Sequence, residues 1–327
     1  MKILVAEKND TEKTIMRDIY CEQMIKIAKE DKRVYAMDAD LINSIGLVPF
    51  QKEMPDRMIN CGIQEANMVC VAAGMSATGL IPFLHTFAVF ASRRVFDQAF
   101  LSCGFSRWNV KIVGSDPGIT AAYNGGTHMP FEDVGIMRNI PDITILEPTD
   151  CSMLRDLIPQ VKDSYGFHYI RLTRKSSRKV YEDGSKFEIG KAVRIRDGKD
   201  ITIIASGYCV AEAIAAADML KEKGLSARVL DMFTIKPIDK ESIISAARET
   251  GAIVTAENHN IINGLGSAVA EVLVENEPVP MERIGVKDEY GEAGDVEYLA
   301  KRFGLKAQNI VDAALRTLSR KKAVMEP

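Results

Sequence analysis

Two periods of apolar residues alternate along the chain. Helical spacing recurs at 14–31, 66–78, 92–106, 131–139 and 152–162. Short, nearly continuous apolar runs at 34–37, 57–61, 81–87, 110–114, 143–147 and 167–172 read as buried strands. The alternation resumes with strands at 201–206, 227–230, 252–256 and 282–286. Helices at 210–223, 237–248 and 265–275 and a helical tail complete this second block. The stretch 174–200 interrupts the pattern, being rich in Lys, Arg, Ser, Asp and Gly with brief alternations at 187–189 and 192–195. It predicts a linker with a hairpin. The expected fold class is therefore α/β with two domains, each a mostly parallel sheet with helices on both faces. Their expected bounds are 1–176 and 201–327, with the linker at 177–200.

The bulk numbers agree with two domains. The chain has 327 residues, 46% of them hydrophobic and 27% charged, which is the make-up of an ordinary globular protein. A net charge of −3 gives no reason to expect a nucleic acid or an anionic membrane as partner. The six cysteines form no CxxC pair and read as small buried residues in a reducing compartment. The charged N-terminus is unlike a signal peptide. The longest apolar run, 68–84, is broken by Ser76, Thr78, Gly79 and Pro82 and reads as helix, turn and strand, not a membrane span. A cytoplasmic location is the expectation.

Candidate chemistry begins at Glu65, on the turn between the strand at 57–61 and the nearly uncharged helix after it. A carboxylate at the start of a buried helix is costly unless something pairs with it. The helix N-terminus offsets part of that cost, and a ligand nitrogen sharing a proton would offset more. Taken alone, capping a core helix is the ordinary role of such a residue. The glycine-rich loop 115–129 follows a buried strand, the place where open α/β sheets bind ligands, and His128 on it could move a proton or hold an oxygen. Phe87 and Phe90, three apart where a strand gives way to a helix, read by themselves as core. Gly264-Leu265-Gly266-Ser267 lacks the third glycine of a dinucleotide fingerprint and reads as a close-packed helix start.

Together, in order and spacing, these segments resemble the transketolase family. Gly62-Ile63-Gln64-Glu65-Ala66-Asn67-Met68 is similar to its Gly-Ile-Arg-Glu-His-x-Met, and Ala39-Asp40-Leu41-Ile42-Asn43-Ser44 to its Ala-Asp-Leu-x-x-Ser. Thr86-Phe87-x-x-Phe90 and Gly125-Gly126-Thr127-His128 match its Thr-Phe-x-x-Phe and Gly-x-Thr/Ser-His. Ile140-Pro141-Asp142 through Pro148-Thr149-Asp150 resemble its Ile-Pro-Asn…Pro-x-Asp, and Glu257-Asn258-His259 and Gly264-Leu265-Gly266-Ser267 continue the resemblance into the C-terminal domain. It covers the pyrimidine-binding and C-terminal domains. The Gly-Asp-Gly…Asn magnesium-diphosphate motif is not in this sequence.

The resemblance implies the C-terminal subunit of a split transketolase, moving a two-carbon ketol unit from a ketose phosphate to an aldose phosphate. The implied cofactors are thiamine diphosphate and Mg2+, the metal held mainly by an N-terminal partner subunit in an α2β2 assembly; no metal ligand is expected here. Glu65 would share a proton with the aminopyrimidine. Phe87, Phe90 and Arg93 would line its pocket, with Arg93 standing where an aromatic is common. His128 would serve catalysis and, with Ser44, Asp116, Asn124 and Arg174, bind substrate. Arg174 and Ser44 match residues that hold the sugar phosphate. Asp116 stands where the family has His, and Asn124 where it has Asp, so the accepted sugar is expected to differ. The β subunit of 2-oxo acid dehydrogenases and the deoxyxylulose phosphate synthase share this layout. The Phe87/Phe90 spacing and Thr127-His128 favour transketolase, and Glu65, Phe90 and His128 argue against a non-catalytic module of the same fold.

Overall fold

A computed structural model describes residues 2–325. Among the described residues twelve strands form two sheets: β1 (Val34–Asp38), β2 (Met58–Asn60), β3 (Ile81–Phe87), β4 (Lys111–Ser115), β5 (Thr144–Leu146), β6 (His168–Leu172), β7 (Val193–Arg196), β8 (Ile201–Ala205), β9 (Ala227–Asp231), β10 (Thr234–Lys236), β11 (Ile253–Asn260) and β12 (Met281–Val286). The seven-stranded sheet runs β10-β5-β6-β4-β3-β1-β2 and the five-stranded sheet β12-β11-β8-β9-β7. Every pairing is parallel except β10 with β5 and β7 with β9, both at sheet edges. All residues of β3, β4, β6, β8 and β9 are buried. Helices on both faces account for this, and it is why these strands lack polar alternation.

Register decides where chemistry can gather. Asp38 of β1 lies opposite Asn60 of β2 and His85 of β3. Phe87 of β3 lies opposite Ser115 of β4, and Ser115 opposite Leu172 of β6. The carboxyl ends of five strands are thus nearly level, and the segments leaving them carry Ser44, Glu65, Phe90, Asp116 and Arg174. That edge is where such sheets bind ligands.

The expected hairpin in 177–200 does not form. The segment pairs instead with the N-terminus, through antiparallel bridges Lys2–Lys186, Val5–Tyr181 and Thr11–Arg178, while Val193–Arg196 becomes the edge strand against β9. Strand β10, from the second block, crosses to extend the first sheet. The helix expected at 92–106 is broken, with a turn after Ala88–Ser92 and a π-helical stretch at Ala99–Phe105. Asp150 caps Cys151–Asp163 through its side chain, which accepts from Met153 N, the ordinary role of an aspartate at a helix start.

A buried polar network joins the halves. Arg171, 1% exposed, bonds both oxygens of Asp133, Oε1 of Glu147 at 2.7 Å and the carbonyl of Asn258 at 3.0 Å. Asn258 clamps the loop after β4, accepting from Ile119 N at 2.9 Å and donating to Pro117 O at 3.0 Å. Gly118, at φ +54°, leaves room for this, since a Cβ there would stand 2.1 Å from Asn258. Glu257 accepts from Leu265 N and Gly266 N at 2.6 and 2.8 Å. Its carboxylate fills the helix start that a dinucleotide would need, in keeping with the packing role read from the sequence. No helix among the described residues is long and apolar enough to cross a membrane.

Candidate active site

Glu65 owes its position to a turn. Cys61 N bonds Asp38 O at 2.8 Å, and Gly62 N bonds Asn60 Oδ1 at 2.8 Å. Gly62 takes φ +70°, a left-handed value glycine adopts without strain. The chain then enters the helix Glu65–Ala77 with Glu65 in its first turn, 2% exposed. No side chain caps this helix. Both Glu65 oxygens instead receive Nη1 of Arg94, at 2.9 Å each.

The strand-to-helix junction after β3 supplies the aromatics. Phe87 and Phe90 meet edge to face with centroids 6.1 Å apart. The half-buried His128 closes the triangle, its ring centroid 5.5 Å from Phe87 and 5.3 Å from Phe90. Thr127 Oγ1 lies 2.9 Å from His128 Nδ1, so the hydroxyl can hold the ring's orientation. Two guanidinium groups flank the triangle. Cζ of Arg94 stands 4.0 Å from the Phe90 centroid, and Cζ of Arg174 4.8 Å from that of Phe87; both are cation–π distances.

Two sequence expectations are corrected. Arg93 is not in this recess: its Nε pairs with Glu132, and Arg94 takes the place expected of it. Phe90 and Arg94 are four apart on a helical turn, so they share a face, and this spacing was the legible signal. Asp116 does not face open space. It is fully buried at φ +54°, and its carboxylate accepts from Arg174 N at 3.1 Å and Arg174 Nε at 2.5 Å. These contacts hold Arg174 in place.

Ser44 lies on the short helix Ile42–Ile45 after β1. Its carbonyl accepts from Nη1 of Arg17 at 3.0 Å, while Arg17 Nε is buried without a hydrogen bond, 3.9 Å from Asp18 Oδ1. A backbone bond from Met16 N to Lys175 O, 3.2 Å, sets residues 17 and 174 on neighbouring segments. Nothing in the sequence pattern pointed to Arg17. Asn124 is exposed on the loop. Asp38, behind Ser44, keeps Oδ2 buried and unpartnered, and burial pushes its carboxyl up to about 6. A separate cavity of about 370 Å³ lies between the domains, lined by Thr173 and Lys175 among others. Arg174, between those two, turns to Phe87 instead.

The recess presents a buried carboxylate, two aromatic rings and a histidine. The ring face of Phe90 and both Glu65 oxygens already accept a flat, N–H-bearing group, the guanidinium of Arg94, so the residues fit an aminopyrimidine. No group of three or more His, Cys, Asp or Glu able to hold a metal occurs among the described residues.

Comparison with known proteins agrees with this geometry. Residues 12–179 match the family model for the transketolase pyrimidine binding domain, and residues 190–310 that for the transketolase C-terminal domain. The chain is 50% identical to the 6-deoxy-6-sulfo-D-fructose transketolase subunit SqwH of Clostridium sp. (strain MSTE9), over 94% of this chain and 95% of that one. It is 35% identical to transketolase of Rattus norvegicus over 92% of its own length but only 49% of that protein's. A solved split-gene transketolase, described as an inactive β4 tetramer, superposes with a TM-score of 0.88 at 39% identity, covering 94% of this chain and 99% of that one. The chain belongs to the transketolase family, as a C-terminal subunit of the split kind.

Proposed function

We propose that Glu65, Phe87, Phe90 and His128 form the pyrimidine half of a thiamine diphosphate site. A separate N-terminal subunit completes it, holding the diphosphate and Mg2+. The observation that carries this reading is the recess itself: Glu65 buried at the foot of Phe90, with a planar donor already seated there. Thiamine diphosphate, when bound, supplies the nucleophilic carbon that carries the two-carbon unit. This chain's part is narrower. Glu65 holds a proton at the pyrimidine ring. Phe90 and Phe87 orient the ring through their faces. His128 sits where it can bond an oxygen of the sugar or move its proton.

The assembly proposed is α2β2 with both chains in the cytoplasm. The helix Glu65–Ala77 exposes Cys70, Val71 and Gly74 without a charge among them, and Leu101 and Phe105 are 51% and 79% exposed. Cys70 Sγ and Ser102 Oγ are 3.9 Å apart, so these residues form one surface. A patch of this kind marks a protein contact. The solved β4 relative is evidence that such chains self-associate. Six free thiols suit a reducing compartment.

The donor proposed is a ketose whose far end carries an anion held by Arg174, Arg17 and Ser44. Asp116 compensates much of Arg174's charge, and an added negative charge repels a dianion twice as strongly as a monoanion. Compared with a site that has the family's His at this position, Asp116 shifts the preference from a phosphate toward a singly charged tail, such as the sulfonate in the name of the Clostridium relative. The test is kcat/KM of the two-chain enzyme for matched 6-sulfo and 6-phospho ketoses. Asp116→His, which removes that negative charge, is expected to move the ratio about tenfold toward phosphate, a shift of about 1.4 kcal/mol. Exchange of the cofactor's acidic C2 proton should stay near that of the parent enzyme. An unchanged ratio with collapsed exchange would transfer Asp116 from the sugar to the cofactor.

A further inference from the structure

Glu65 and Arg94 are an unequal pair. The carboxylate is 2% exposed, while the arginine that reaches it is 45% exposed. Arg94 follows the short helix Ala88–Ser92 and lies in the turn before Phe96–Gln98. Its guanidinium lies 4.0 Å from the Phe90 ring centroid and donates to both Glu65 oxygens at 2.9 Å. A flat conjugated group on Phe90, with nitrogen directed at Glu65, is also what the proposed cofactor site requires of an aminopyrimidine. Both oxygens of Glu65 are engaged and the residue is otherwise enclosed. A second flat donor cannot reach it until the first has left.

We propose that Arg94 is a placeholder for the pyrimidine: it occupies that position in the cofactor-free chain and swings out when the cofactor enters. The inference rests on the reading of Glu65 and Phe90 as the pyrimidine site. Its physical logic is that a buried carboxylate without a partner is strongly destabilising. Arg94 supplies the partner before the cofactor does. A side chain exposed to this extent has a route into solvent by rotation about its own bonds, with no backbone movement. The consequence is a competition. Cofactor affinity is lowered by the fraction of time the recess is closed.

The test uses the co-purified two-chain enzyme, stripped of cofactor and titrated with thiamine diphosphate and Mg2+ by calorimetry. Arg94→Met keeps much of the stem and removes the fork. It should bind the cofactor about tenfold more tightly than the parent while its cofactor-free form melts at a lower temperature. Arg94→Lys, which keeps the charge but cannot stack as a plane, should fall between the two. An unchanged or weakened affinity in Arg94→Met overturns the proposal, because Arg94 would then be indifferent to the cofactor or would help hold it. Should the variants not fold, a crystal structure of the parent enzyme with cofactor decides. Arg94 beyond hydrogen-bond distance of Glu65 supports the placeholder, and Arg94 still on both oxygens refutes it. A parent enzyme that binds no thiamine diphosphate at all is a different result, and it removes the site reading instead.

Discussion

Glu65→Gln in the two-chain enzyme is expected to lower ketol transfer by about a thousandfold, within the range of about 10² to 10⁴ that a positioned proton-transfer group supplies. The amide fills the space of the carboxylate but cannot share the proton that the proposed pyrimidine contact needs. Folding should survive, because the amide oxygen can still accept from Arg94 Nη1, which now stands 2.9 Å from each carboxylate oxygen. The paired readouts are C2 proton exchange of the bound cofactor, by NMR, and the melting temperature of the cofactor-free protein. Exchange should collapse while the melting temperature moves little. Exchange at the parent rate would remove Glu65 from the chemistry.

A second large effect is expected in stability, at Asp231. It ends β9, fully buried, with Oδ2 accepting from Thr149 Oγ1 at 2.6 Å and Tyr181 OH at 2.8 Å and Oδ1 without a partner. It therefore ties the second sheet to the loop after β5 and to the linker. Burial pushes its carboxyl up to about 7, the two hydrogen bonds opposing this and the charges of Asp150 and Glu147 adding to it. The sign follows from linkage. An unfolded aspartate titrates near about 4, so between about pH 4 and 7 the folded chain retains a proton that the unfolded chain has lost. This group's contribution is most favourable below that window, falls as pH rises through it, and is flat above. The slope is at most about 1.4 kcal/mol per pH unit. Asp231→Asn does not titrate. Its stability relative to the parent should rise by a few kcal/mol, on the order of 2–4, from pH 4 to pH 7.5. Urea denaturation of both proteins across that range measures the gap. A gap independent of pH would mean that Asp231 titrates alike in both states.

The same side chains explain what could be read from sequence and what could not. Strands such as β3, β4 and β8 are buried on both faces, so each left an uninterrupted apolar run, and the α/β organisation was legible from these runs alone. The linker was misread because the partners of its residues Arg178, Tyr181 and Lys186 are Thr11, Val5 and Lys2. The N-terminal segment carries no periodicity that would announce such long-range pairing. Strand β10 was missed for a similar reason: three residues, 234–236, cannot show a pattern, and their partner is almost ninety positions away. In the site, Glu65, Phe87, Phe90 and His128 lie near one another because each leaves a strand at the same edge. The one-residue choice between Arg93 and Arg94 depended on helix phase. The pairing of Asp116 with Arg174 spans 58 positions, and only the alignment of β4 beside β6 brings it about. Arg17 belongs to the same class: its meeting with Ser44 is tertiary, and an arginine in the first turn of a helix is otherwise unremarked.

The central claim is that this chain supplies half of a divided active site. Its most direct measurement is ketol transfer by the chain alone, by an N-terminal transketolase subunit alone and by the two mixed, each with thiamine diphosphate, Mg2+, a sulfonated or phosphorylated ketose donor and an aldose phosphate acceptor. The account predicts no transfer by either chain, and activity in the mixture that saturates at one copy of each. Transfer by this chain alone would contradict it, as would a mixture that assembles and binds the cofactor yet transfers nothing.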